Sequence, residues 1–216
     1  MKTILIADDH EIIRMSLRTL IETFHQKYNF IEAATCVETM QVLSCQKADY
    51  AILDVFMADG NILSDMQEMT KYFQHTSILV CSMASEKIYA KRFLKKGVRG
   101  FVSKRSPIDE LEKAIQCFLK GEIYLSNSIK EDLLTPAGGH SLDSLSDREL
   151  QVVEYLAMGT SVQDITQKMK LDAVKIDSYR RRAFKKLNIK KIAELDDKCL
   201  LAKNGTLHHS PEKNNT

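Results

Sequence analysis

The chain has no tryptophan, only three prolines, no long apolar run and almost no charge excess. None of its apolar stretches approaches the roughly 18 residues that a membrane-spanning helix needs. Its start, Met1-Lys2-Thr3-Ile4-Leu5-Ile6-Ala7-Asp8-Asp9, brings in acids too early for the apolar core of a signal peptide. The expectation is a cytoplasmic chain with no membrane partner. The five cysteines, Cys36, Cys45, Cys81, Cys117 and Cys199, are odd in number and show neither CxxC nor CxxH spacing. That argues against a disulfide framework and a thiolate metal site, leaving small apolar residues in a reducing compartment. No internal repeat is visible. An apolar content of 44% excludes a wholly disordered chain, and 216 residues suit one large or two modest domains.

The near-neutral charge conceals an uneven distribution. Residues 1–125 carry 16 basic and 16 acidic side chains, whereas 175–191 hold eight bases and the single acid Asp177. Such a concentration points to a polyanion partner, against the plainer reading of a solvated helix face.

Short apolar runs at Thr3–Ala7, Phe30–Ala34, Tyr50–Leu53, Ser77–Cys81 and Gly100–Val102 read as five strands. Amphipathic stretches separate them, such as Ile12, Ile13, Leu17, Leu20, Ile21 and Phe24 at helical spacing. Ser106-Pro107-Ile108-Asp109-Glu110 reads as a helix start with Ser106 as its cap. Strands alternating with helices predict a doubly wound parallel sheet, an α/β flavodoxin-like domain of five strands and five helices over 1–125. Residues 126–144 read as a linker, with Thr135-Pro136-Ala137-Gly138-Gly139-His140-Ser141 its most flexible-looking part. From 145 to 202 only helical patterns remain, which predicts a small all-α domain of four helices. Ser146-Asp147-Arg148-Glu149 is a capping box, Gly159 a stop, and Ser161 and Asp172 are further caps. Residues 203–216 read as a disordered tail.

Three carboxylates fall at strand ends: Asp8 and Asp9 after the first, Asp54 after the third. In the strand order 2-1-3-4-5 those strands are neighbours, so the acids converge at one rim of the sheet. Clustered carboxylates repel, and a hard cation that prefers oxygen, Mg²⁺, suits them. Ser82 and Lys104 follow the fourth and fifth strands. Acids, hydroxyl and ammonium together describe a pocket able to hold a metal and a phosphoryl group.

On these residues the chain resembles the bacterial two-component response regulators that join a receiver to a LuxR-type helix-turn-helix domain. The likeness rests on Ile6-Ala7-Asp8-Asp9-His10, Ile52-Leu53-Asp54-Val55-Phe56-Met57, Val80-Cys81-Ser82 and Gly97-Val98-Arg99-Gly100-Phe101-Val102-Ser103-Lys104. It implies that Asp54 accepts a phosphoryl group from a histidine kinase. It further implies that Asp9, Asp54 and the main-chain carbonyl of Phe56 hold Mg²⁺, with Asp8 in support. Ser82 and Lys104 would contact the phosphoryl group, and Phe101 would swing inward as Ser82 engages. The family usually carries proline after this acceptor stretch, where Ala58-Asp59-Gly60 stands here; a looser loop is the expectation.

The resemblance continues from Leu145 through Ile189 and implies binding of double-stranded DNA through the third helix of that domain. Its candidate contacts are Lys175, Ile176, Asp177, Tyr179, Arg180, Arg181, Arg182, Lys185 and Lys186. Asp177 stands where the family commonly has a base-contacting lysine. Ile192, Leu195, Cys199 and Leu200 resemble the dimerisation helix of such domains, implying a homodimer. The chain is then a transcription regulator and not an enzyme, assisting only its own phosphotransfer and dephosphorylation. Three rivals stand beside it. One is an interaction module whose helix-turn-helix binds a protein. Another is a DNA-binding regulator independent of phosphorylation. The third is a metal-dependent phosphatase, disfavoured because Asp54-Val55-Phe56 offers no second acid two residues on.

Overall fold

The computed structural model describes residues 1–45, 47–134 and 142–194. Five parallel strands, β1 (Lys2–Ala7), β2 (Tyr28–Ala33), β3 (Tyr50–Leu53), β6 (Ser77–Ser82) and β7 (Phe101–Ser103), lie in the order β2-β1-β3-β6-β7. Between β3 and β6 a two-residue antiparallel hairpin, β4 (Phe56–Met57) with β5 (Gly60–Asn61), stands apart from the sheet. Without that hairpin the order is the anticipated 2-1-3-4-5.

The pleat sorts side chains to opposite faces. Ile4, Ile6 and Ile52 point to one face and pack with Leu17 and Ile21 of α1 (Glu11–Glu22) and Ala114, Ile115 and Phe118 of α5 (Ile108–Leu119). Leu5, Leu53 and Val80 point to the other. There they meet Leu43 of α2 (Cys36–Ser44), Met66 of α3 (Ile62–Met69) and Phe93 of α4 (Glu86–Lys95). Because both faces are covered, β3 is buried throughout. Ahead of β7, Gly100 is required by close approach: a Cβ there would lie 2.9 Å from the Tyr124 carbonyl oxygen and 3.0 Å from Leu79.

Two local expectations change. The cap of α5 is Pro107, whose carbonyl accepts from the N–H groups of Glu110 (3.0 Å) and Leu111 (3.1 Å), and not Ser106. The loop after β3 is pinned and not loosened. Asp59 accepts from the N–H groups of Cys36 (2.7 Å) and Val37 (3.1 Å), so the hairpin tip caps the start of α2.

The stretch expected as a linker starts with a helix, α6 (Asn127–Leu134), which packs on α4 and buries Ile129. The most flexible-looking part, 135–141, lies outside the described residues, as do the 203–216 tail and Leu195, Cys199 and Leu200 of the expected last helix. Beyond it come α7 (Asp147–Ala157), α8 (Val162–Met169) and α9 (Ala173–Leu187). The Ser146 capping box is complete: Glu149 N–H donates to the Ser146 hydroxyl (3.3 Å), and Ser146 N–H donates to the Glu149 carboxylate (2.8 Å). Gly159 follows α7 with φ +75°, a conformation that favours glycine. Ser161 and Asp172 cap α8 and α9 through the N–H groups of Asp164 and Lys175.

The helical region is docked on the sheet domain. α7 packs against α3, and the apolar core runs without a break from Met66, Tyr89 and Phe93 to Leu142, Leu150 and Val153. Arg92 of α4 clasps the far side, donating to Asp147 (3.0 Å) and to the Leu142 carbonyl (2.6 Å), while Lys96 pairs with Asp147 at 2.9 Å. Among the described residues no helix is long and apolar enough to cross a membrane.

Candidate functional site

The strand ends bring together the groups expected there. Asp8 follows β1, with its N–H on the Ala33 carbonyl (3.0 Å), and Asp54 follows β3, with its N–H on the Ala7 carbonyl (2.8 Å). Lys104 follows β7 and reaches between them, its Nζ 2.5 Å from Asp8 Oδ2 and 2.5 Å from Asp54 Oδ2. The Ser82 hydroxyl, at the end of β6, donates to Asp54 Oδ1 at 2.5 Å. Both carboxyl groups are buried. Burial pushes the Asp54 carboxyl above its ordinary value, opposed by the Lys104 charge and the hydrogen bonds from Lys104 and Ser82. Burial alone would lower the Lys104 ammonium, but Asp54 and Asp8 outweigh it and hold the proton on the lysine.

Asp9 lies beside this pair, its Oδ1 buried without a hydrogen bond. His10 Nδ1 is 2.7 Å from that oxygen, within ion-pair reach but outside hydrogen-bond geometry. His10 is also the N-terminal cap residue of α1. An acceptor oxygen left without a donor is what a cation would complete. The carboxylate oxygens are the hard donors that Mg²⁺ takes, whereas the His10 imidazole is not. The ligand atoms of Asp8, Asp9 and His10 lie within 4.8 Å of one another. That cluster is Asp8, Asp9 and His10, not the expected set of Asp9, Asp54 and the Phe56 carbonyl. The expected set and the observed cluster share Asp9, while both carboxylate oxygens of Asp54 are engaged by Ser82 and Lys104.

Phe101 is fully buried and tilted against Phe93, ring centres 6.2 Å apart. The inward aromatic and the engaged Ser82 thus occur together. Phe56, two residues after Asp54, sets its ring edge-on to Tyr89 of α4 at 5.9 Å.

On α9 the expected contacts separate into three groups. Lys175, Arg180, Arg181, Arg182 and Lys185 are exposed, with Tyr179 and Asp177 half-buried. Ile176 is a correction: it is fully buried against Val152, Tyr155, Ile165 and Met169, and serves the core instead of reading DNA. Lys186 is exposed too, but its ammonium engages the Glu149 carboxylate (2.7 Å) and the Ser144 carbonyl (3.2 Å), tying α9 to the start of α7. Asp177 holds its own neighbours, Arg180 at 2.5 Å and Arg181 at 2.9 Å. Arg182 stacks over the Tyr179 ring at 5.1 Å. The basic face remains uncovered while α7 is docked.

The residues that sequence reasoning missed are those of the docking seam: Tyr89, Arg92, Asp147 and Glu154. The sequence does not mark them; in the structure α7 buries Glu149 through Tyr155 without a break, more than a single amphipathic face requires.

Comparison with known proteins agrees with this geometry. The family model described as response regulator receiver domain matches residues 4–116. The model described as bacterial regulatory proteins, luxR family, matches 143–197. A putative transcriptional regulator of Pseudomonas aeruginosa is 32% identical, covering 91% of this chain and 96% of the relative. The Fimbriae Z protein of Salmonella typhimurium is 29% identical over 90% of this chain and 94% of its own length. Among solved structures, RcsB of Salmonella enterica serovar Typhimurium, bound to promoter P1flhDC with the phosphomimetic BeF3⁻, is similar with TM-score 0.72 and 25% identity. That match covers 91% of this chain and 96% of RcsB.

Proposed function

The chain belongs to the response regulators that join a receiver domain to a luxR-family DNA-binding domain, and on that premise we propose that phosphorylation of Asp54 governs its binding to DNA. The observation that carries this reading is the single hydrogen-bonded cluster of Asp54, Asp8, Ser82 and Lys104 at neighbouring strand ends. We take 1–125 as the receiver, 126–144 as the connection with α6 at its start, and 145–202 as the DNA-binding domain.

In the proposed transfer, a carboxylate oxygen of Asp54 attacks the phosphorus of a kinase phosphohistidine. A P–O bond forms, the P–N bond breaks, and the imidazole leaves. Lys104 faces the developing charge from one side, and Ser82 can turn its hydroxyl from the carboxylate to a phosphoryl oxygen. Mg²⁺, held by Asp9, Asp54 and the Phe56 carbonyl with Asp8 behind, would neutralise phosphoryl oxygens when bound. The phosphoryl group then carries about two negative charges where the carboxylate carried one, and the region from Ser82 at the end of β6 through α4 to Phe101 of β7 reorganises around them. The chain assists this reaction and its reversal by water on itself alone and turns over no external substrate. It works in the cytoplasm and binds double-stranded DNA as a homodimer, through the uncovered basic face of α9.

A second reading has an observation in its favour. Ser82 already engages Asp54 and Phe101 is already inward, so the unphosphorylated chain could bind DNA as it stands.

The test is intact mass after exposure to phosphoramidate with Mg²⁺. The wild-type chain gains one phosphoryl group, while Asp54→Asn and a sample held in EDTA gain none. A phosphorylated Asp54→Asn chain, or an unmodified wild type, would overturn the assignment.

A further inference from the structure

The seam between receiver and DNA-binding domain contains a buried acid for which the phosphorylation chemistry has no use. Glu154 of α7 is 5% exposed, and its Oε2 accepts from the hydroxyl of Tyr89 on α4, itself 1% exposed. Tyr89 is held on both sides. Phe56 meets its ring edge-on at 5.9 Å, and Phe93 stacks on it at 6.1 Å. The hydroxyl therefore has one aim, across the seam. Asn61, at the start of α3, lies beside the Tyr89 hydroxyl, but its buried side-chain nitrogen makes no hydrogen bond among the described residues.

The cation nearest to Glu154 is committed elsewhere. Arg92 spends one Nη on Asp147 and the other on the Leu142 carbonyl, and its buried Nε has no partner among the described residues. Glu154 thus faces a phenol hydroxyl and a guanidinium at a distance, with no ion pair among the described residues to hold a negative charge.

We propose that Tyr89 and Glu154 form a latch between the two domains that closes with Glu154 protonated and opens as the acid ionises. In the neutral form the carboxyl can accept from Tyr89 and sit dry in the seam. As a carboxylate it needs water, which only separation of α7 from α4 supplies.

The sign follows from the shift. Burial raises Glu154 to about 8 in the docked state, opposed by the Tyr89 hydrogen bond and Arg92, against an ordinary 4.5 when exposed. The folded, docked value is the higher one, so closing takes up a proton. Docking is strongest in acid and is lost as pH rises through about 8. Other charged and titratable groups line the same seam. Asp147 is paired with Arg92 and Lys96. Tyr155, the neighbour on α7, is pushed up to about 12 by burial, and Tyr89 is raised well above its ordinary value by burial and by Glu154. Cys36 of α2 and Lys168 of α8 approach the seam at Tyr155, Lys168 lying 5.7 Å from its ring.

The latch needs no phosphoryl group, so its failure would leave the Asp54 assignment untouched, and the reverse also holds. The experiment is NMR of the full chain between pH 6 and 9. It follows the Glu154 carboxyl carbon and the methyl groups of Leu142 and Val153 at the seam. Methyl groups of Ile165 and Ile176, in the helical domain's own core, report whether each variant is folded. The docking constant should fall roughly fiftyfold from pH 6 to pH 8. In Glu154→Gln, which keeps the shape without the titration, the seam signals should not move with pH. Tyr89→Phe keeps the ring stack, loses the donor, and should open at lower pH than the wild type. Three results would each overturn the latch: seam signals in the wild type that ignore pH, equal pH dependence in Glu154→Gln, or Tyr89→Phe docking as the wild type does.

Discussion

The strand-end pocket and the α4–α7 seam each bury a carboxyl group, and they treat it in opposite ways. In the pocket, Asp54 has the Lys104 ammonium at 2.5 Å and the Ser82 hydroxyl at 2.5 Å, so charge stays on the acid and is available for chemistry. At the seam, Glu154 accepts from a phenol, and its neighbouring arginine is spent on Asp147. The first arrangement keeps an ionised nucleophile ready; the second makes ionisation and domain contact mutually exclusive. Both carboxyls are driven upward by the same cause, desolvation, and the counter-charge decides what each can do.

The largest expected break in this comparison is Lys104→Met. It leaves Asp8 and Asp54 facing each other without a cation, and phosphoryl transfer should slow by about a hundredfold. Stability in EDTA should fall by about 3 kcal/mol, as for a buried pair that loses one partner. Mg²⁺ should restore part of that loss, which thermal unfolding with and without the ion would reveal. No destabilisation in EDTA would mean that the lysine does not neutralise the pair.

Next comes Phe101→Ala, which empties a fully buried ring site beside Phe93 and should cost about 3–5 kcal/mol in denaturant unfolding. A much smaller loss would place the ring outward in solution.

A third change acts on the other domain. Asp177→Asn releases Arg180 and Arg181, and DNA affinity should rise while the slope of log Kd against log salt steepens by about one. An unchanged slope would mean that these arginines reach phosphates despite Asp177.

The smallest effect is expected of Ser146→Ala. It removes the hydroxyl half of the capping box and should cost about 1 kcal/mol.

What could be read beforehand follows from range of interaction. β3, buried on both faces, shows as a short apolar run, and the catalytic groups of a doubly wound sheet must sit where its strands end; Asp8, Asp54, Ser82 and Lys104 were therefore legible. Caps are local too, so Ser146, Ser161 and Asp172 could be found by inspection. The β4–β5 hairpin could not, because two residues per strand leave no period, and its anchor is Asp59 reaching α2 from 22 residues away. Ile176 was misassigned because a helix with charges on most sides hides which position turns inward. The seam was least legible. Tyr89 and Glu154 lie 65 residues apart, and a glutamate on an amphipathic helix reads as solvent-facing until a second domain covers it.

The most direct measurement compares genome-wide binding of the full-length chain with that of Asp54→Ala under the same conditions. Discrete sites present for the wild type and lost in the variant are the predicted result. They would join DNA recognition to the strand-end pocket. The same sites kept in the variant would contradict control through Asp54, and no sites for either chain would contradict the DNA-binding face itself.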